Sequence, residues 1–429
     1  MSSATLIIGG GWSGLAAAIT LIQQGQKVHL IESAKQLGGR ARNVGWQNQT
    51  IDNGQHLMIG AYDHMLNMMH FIGINPSDVF HRQPIDITIH DTHYAPLYLS
   101  AKGRLPWPLS LAWNLIKSAG LTGLLQVARL QSTIPKLLSE QDITVTDWLL
   151  QTKQSDRLIK QLWEPLCLAT LNTPIDHASA HILAKVLQDS LGQDKSAADL
   201  LIPQQALGDL FPAVAADYIK QHGGQISLQT RGQELVIQQG KVIGMTTHTG
   251  DLIEADSIIV AVSPSQSIHL LSPHLSLHKT DEYPICTIYL QYSTHTRLPS
   301  PMLGMTGTTS QWIFDRSEQS PGLMAVVISA PGGHEHISKN ELVQQVCAEV
   351  HQMLPELAST VKDSFVIREK RATFACTVAI EKQRPNCQTS IEGLWLAGDF
   401  VANSYPATLE GAIRNGENAA IQLLSIQNS

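Results

Sequence analysis

The chain has 429 residues, 43% of them hydrophobic and 15% charged, with a formal net charge of -7. That length accommodates two or three domain-sized units, and an acidic balance without any basic run excludes nucleic acid as a partner. Five widely spaced cysteines with no C-x-x-C give no indication of a disulfide framework or a thiolate zinc site and fit a reducing, cytoplasmic compartment, while no secretory signal and no spanning helix is expected.

The stretch LIIGGGWSGLAAAITLIQQGQKVHLIES runs from Leu6 to Ser33. A buried strand from Thr5 to Ile8 delivers the chain into a tight turn at Gly9. Gly11 lets backbone approach a pyrophosphate, and Gly14 lets the next helix pack closely on the sheet. The helix N-terminus then presents unpaired N–H groups to negative charge. An apolar helix from Leu15 to Ile22, a stop at Gly25 and a strand from Lys27 to Ile31 follow, and Glu32 closes the unit where a ribose hydroxyl can be accepted. Gly38-Gly39-Arg40 adds backbone N–H groups and a cation that can close over the same pyrophosphate. In IDNGQHLMIG, Asp52, Asn53, Gln55 and His56 surround Gly54 in an otherwise apolar run, which points to backbone passing close to a flat ligand.

From about Ala61 to Leu191 the pattern predicts a helical middle. Within it, LPWPLSLAWNLI (Leu105 to Ile116) and the segment to Ala128 carry little charge, consistent with a buried helix pair or with a peripheral membrane patch bearing Trp107 and Trp113. Short alternating runs from Gln225 to Val262 predict a meander and a buried strand Ser257 to Val262. Further strands are expected at Thr287 to Tyr292, Trp312 to Phe314 and Leu323 to Ser329, and a helix at Lys339 to Met353. The chain closes with a strand ending at Gly398-Asp399 and a helix opening near Thr408, whose free N–H groups can stabilise an anionic ring edge. These segments fit FAD better than a nicotinamide cofactor. His177 and His181 are four apart, but no third ligand is evident and no metal is expected.

The fold class is therefore α/β: a discontinuous Rossmann-type FAD-binding domain from residues 1–75, 205–265 and 385–429, with an inserted substrate domain of mixed sheet and helices from 76–204 and 266–384. The candidate proton donors are His56 and Asp52, with Glu164 and Glu410 behind them.

IIGGGWSGLAAA, LGGRAR, DNGQH, LWEPLCLATLNTP, LQDSLG, EKRATF and LWLAGDF with PATLEGA together resemble the hydroxysqualene dehydroxylases, the squalene-associated FAD-dependent desaturases of the flavin amine oxidase and phytoene desaturase superfamily. The resemblance covers most of the chain. It implies reductive removal of the hydroxyl of hydroxysqualene, an apolar C30 isoprenoid, in hopanoid or other triterpenoid synthesis; an unidentified electron donor is expected with it, and the weakly charged helical segment adds the expectation of peripheral contact with the inner membrane face. It also implies that Glu32 holds the adenosine ribose, Arg40 the pyrophosphate, Gly54 and Gln55 the isoalloxazine face, Asp399 the ribityl-phosphate region and the Leu409 N–H the pyrimidine edge. Members of that family usually carry a β-branched residue after the position of Arg231, near the adenine, whereas this chain has Gly232, so the adenine contact is expected to fall to Leu235 or Val236. A carotenoid-type polyene desaturase is the rival enzyme, and a prenyl-binding protein like the Rab GDP-dissociation inhibitors is the rival outside catalysis.

Overall fold

The structure, a computed structural model, describes residues 4–191, 195–357 and 360–427. Strand β1 (Thr5–Ile8) is buried along its whole length, as the central strand of a sheet covered on both faces must be. It pairs in parallel with β2 (Val28–Ile31) on one side and with Ile258–Val260 on the other. Gln225–Ser227 and Leu394–Leu396 complete a five-stranded parallel sheet at its two edges. Helix α1 (Trp12–Gln23) is buried from Trp12 to Ile22, packed between this sheet and the C-terminal helix Leu409–Gln427. A Cβ at Gly416 would lie 2.1 Å from the Ser13 carbonyl oxygen, so glycine sets how closely those helices cross.

A second sheet has seven strands, in the order Asp363–Phe374, Glu282–Gln291, Leu323–Ser329, Trp312–Asp315, Met302–Thr306, Asp86–Asp91, Leu97–Ser100. Helix Lys339–Met353 covers one face, its Leu342, Val346 and Val350 meeting Cys286, Ile288 and Leu290. On the other face, Tyr289 and Ala325 pack against Trp46 and Ile51 of the hairpin Asn43–Trp46/Gln49–Asp52. That hairpin runs directly into the DNGQH loop, so the loop emerges beneath the seven-stranded sheet.

The strand Leu323–Ser329 and the helix Lys339–Met353 fall where their patterns placed them, while the strand expected over Ser257 to Val262 is trimmed to Ile258–Val260. The helical middle needs correction. Phe80–Gln83 pairs with Leu200–Pro203, and Asp86–Asp91 and Leu97–Ser100 extend the large sheet. Nor is the segment from Leu105 to Ala128 a buried helix pair. It belongs to the helix Trp107–Ser139, interrupted at Gly120 (φ 74°), which buries Leu115 and Leu130 but exposes Leu109, Trp113, Leu121 and Leu125. Among the described residues, no helix is long and apolar enough to cross a membrane.

Candidate flavin site

β1 ends at Ile8, and a Cβ at Gly14 would lie 2.0 Å from the Gly9 carbonyl oxygen, so the turn and the first turn of α1 fit together only with glycine there. Gly11 is different. Its side is open, the nearest atom to a Cβ being the Gly39 Cα at 3.9 Å, while Gly38 N–H donates to the Gly10 carbonyl at 2.9 Å. Two glycine segments thus meet at the N-terminus of α1, which has no side-chain cap. Glu32, one residue beyond β2, is fixed at the edge of this cradle, accepting from Gly10 N–H at 2.7 Å and Ala34 N–H at 2.7 Å.

Arg40 and Asp399, at opposite ends of the chain, form an ion pair at 2.7 Å, and Arg40 also donates to the Ala372 carbonyl at 2.9 Å. Burial works against the Arg40 charge, but Asp399, Glu282 and Glu369 outweigh it and its pKa stands above the ordinary value. Glu369 in turn accepts from Asn53 at 3.0 Å. The loop after Asp399 is shaped by Arg384, whose buried guanidinium donates to the carbonyls of Asp399, Phe400, Val401, Asn403 and Tyr405. Neither Arg384 nor Glu282 stands out locally in the sequence; Glu369, in EKRATF, is a carboxylate in an alternating strand, and that is its only signal.

In DNGQH, Gln55 donates to the Tyr289 hydroxyl at 2.6 Å, and that hydroxyl donates to the Asp52 carbonyl at 2.8 Å. Beside Gly54 lies the hydroxyl of Thr287, buried and without a hydrogen-bond partner among the described residues. His56 Nδ1 lies 3.0 Å from the Gly54 carbonyl. Burial, with the nearby Arg40 cation, lowers the His56 pKa, so the ring is neutral at neutral pH. A carbonyl can only accept, which puts the proton on Nδ1 and leaves Nε2 as an acceptor.

Three of the expected proton donors are placed otherwise. Asp52 is an anchor: its buried carboxylate accepts from Leu207 N–H at 2.7 Å and faces Arg316 at 3.5 Å, while burial raises its pKa to about 6. Glu164 is exposed at the start of the helix Glu164–Leu171, with Lys160 and Asp176 as charged neighbours, and is not gathered with His56. Glu410 is fully buried and caps the helix Asp63–Phe71 from outside, accepting from His64 N–H at 3.1 Å, Met65 N–H at 2.9 Å and Arg414 at 2.7 Å.

Leu409 opens the C-terminal helix, where first-turn N–H groups have no intrahelical acceptor. Asn415 ties this helix to the strand end before Asp399, donating to Gly398 and Val401 carbonyls at 2.6 and 2.9 Å. The narrower motifs converge as well. Asn172 of LNTP donates to Thr373 of KRATF at 2.9 Å, and Asp189 of LQDSLG accepts from Tyr405 at 2.7 Å. At Gly232, the Met245 sulfur lies 2.2 Å from where a Cβ would stand, so the Met245 side chain fills the space beside this glycine.

These residues fit FAD: an open glycine cradle at a helix N-terminus, a carboxylate at the second strand's end, an arginine–aspartate pair linking both chain ends, an unpartnered hydroxyl beside Gly54 and a helix start at Leu409. The chain belongs to the flavin containing amine oxidoreductase family, whose pattern matches residues 12–424. It is an FAD-dependent oxidoreductase. Hydroxysqualene dehydroxylases of Zymomonas mobilis and Rhodopseudomonas palustris are 27% and 28% identical to it, each aligned over 99% of both chains. The 15-cis-phytoene desaturase of Narcissus pseudonarcissus is 23% identical over 97% of this chain and 78% of its own. In fold it is similar to the cyclohexylamine oxidase of Brevibacterium oxydans, with a TM-score of 0.73 at 16% identity and 100% of both chains covered.

Proposed function

We propose that this chain reductively removes the hydroxyl of hydroxysqualene to give squalene. The observation that carries the reading is end-to-end similarity to hydroxysqualene dehydroxylases, in a chain whose DNGQH, LNTP and EKRATF segments are drawn together by Asn53–Glu369 and Asn172–Thr373. In the balanced reaction a C–O bond breaks, a C–H bond forms, two electrons and two protons are consumed and water leaves. Reduced FAD, when bound, supplies the hydride. Glu32 and the glycine cradle hold the nucleotide half, Arg40 and Asp399 the linking chain, and Gly54 and Gln55 lie along the ring.

His56 Nε2 accepts from the substrate hydroxyl and orients it. The proton that leaves with the hydroxyl as water is drawn from solvent; Glu282, whose carboxylate faces Arg40 and keeps one oxygen buried without a hydrogen-bond partner among the described residues, is the group we assign to relaying it. Residues 1–75, 205–265 and 385–429 make up the FAD-binding unit in this reading, and 76–204 with 266–384 the substrate unit. An external two-electron donor recharges the flavin.

Purified holoprotein, reduced with dithionite under argon and given hydroxysqualene, is expected to form squalene in step with flavin reoxidation. Recovery of the unchanged alcohol would overturn the assignment. Dehydrogenation of a polyene precursor by the oxidised protein would instead make the chain a desaturase.

A further inference from the structure

We propose that the exposed face of the helix Trp107–Ser139 docks this protein onto a bilayer with an anionic surface. The helix is interrupted at Gly120, and each side of the break carries the same pattern at four-residue spacing: Leu109, Trp113, Lys117 before it and Leu121, Leu125, Arg129 after it. Residues four apart share a helix face. The apolar members are 56%, 52%, 60% and 61% exposed, far from the usual environment of large apolar side chains, and they recur as a set rather than singly. Each stripe ends in a cation. Lys117 Nζ lies 5.5 Å from the centre of the Trp113 ring, an arrangement in which the ring enters the interface while the ammonium stays at headgroup level.

Charge selects the occupant. From Lys102 to Ser139 the chain carries five cations and no Asp or Glu, although the whole protein is acidic. Lys102 pairs with Asp86 and Lys136 with Glu140. Arg104, Lys117 and Arg129 have no carboxylate within ion-pair distance among the described residues. A second copy of this chain on the same face would bring like charges together, whereas anionic lipid offers both apolar depth and opposite charge. Among the described residues no helix is suited to spanning, so the proposed contact is one-sided. The inference does not rest on the substrate assigned above.

Flotation of the holoprotein with phosphatidylcholine vesicles, and with vesicles also containing phosphatidylglycerol, tests it. Binding is expected on the anionic vesicles and is expected to weaken as salt is added. Lys117→Gln and Arg129→Gln should each lower that partition by roughly fivefold. Leu109→Gln with Leu125→Gln should abolish it while flavin content, read by absorbance, stays at the parent level. Equal partition onto both vesicle types, or none onto either, would overturn the proposal. So would a concentration-dependent dimer dissolved by the leucine changes, which would give the face to a second copy.

Discussion

His56 and Asp52 lie in one loop region, and removal from water pushes both toward their neutral forms, His56 downward and Asp52 up to about 6. For His56 the neutral ring is the form that accepts a substrate hydroxyl. Turnover is therefore expected to hold level through neutral pH and to fall on the acid side, below the ordinary imidazole value of 6.5, as the ring takes a proton. The same lowered pKa makes its contribution to stability complete above 6.5 and lost as pH falls through the folded value. His56→Gln should remove the acid limb from a pH–rate profile; an unchanged limb would assign it to another group. Glu32 is a second test. Its carboxylate already holds Gly10 and Ala34, and losing charge-assisted bonds to a ribose should cost about 1.5–3 kcal/mol. Glu32→Ala should bind FAD roughly ten- to a hundredfold more weakly in a fluorescence titration. Gly9, Gly11, Gly14 and Glu32 are legible in sequence because they act through local spacing. Arg40 and Asp399 were each legible as cofactor-facing, but their mutual ion pair was not, since nothing local joins residues at opposite ends of a chain.

At the scale of elements, one carboxylate on the C-terminal helix holds the start of another helix. Glu410→Ala would leave two N–H donors and the Arg414 guanidinium without their acceptor, at a cost of about 1–3 kcal/mol. Urea unfolding should register that loss, and Glu410→Gln, which keeps an acceptor, should lose less. A midpoint unmoved by Glu410→Ala would mean that water replaces the cap. Amphipathic helices such as Lys339–Met353 could be bounded from sequence because their capping box and periodicity are local, Ser338 and Glu341 bonding reciprocally. The strand Asp86–Asp91 was harder, although Ile87 and Ile89 alternate with polar residues. It is a short strand whose parallel partner, Met302–Thr306, lies far along the chain, and its neighbourhood otherwise reads as helix. The break at Gly120 was likewise hidden, since an isolated glycine in a helical pattern is usually tolerated.

For the whole molecule, the cysteines bear on how the flavin is held. Burial pushes the Cys376 and Cys387 thiols, those nearest the C-terminal motif, up to about 12, so neither is a ready nucleophile for a bond to the ring. FAD is expected to be wholly noncovalent. Acid precipitation should leave all the yellow colour in the supernatant, and colour retained on the protein would refute this. The five-stranded sheet has a consequence of another kind, set by the direction of synthesis. Its central strand leaves the ribosome well before its edge strand Leu394–Leu396, with the helix carrying Leu409 later still. Nascent chains commonly fold their N-terminal portions first, but here the β–α–β unit of β1, α1 and β2 must wait, apolar and incomplete, until Leu394–Leu396 has been made. Flavin loading therefore follows synthesis of the edge strand: a ribosome-stalled product ending before Leu394 should take up no FAD and should depend on chaperones that shield β1 and α1 in the interval.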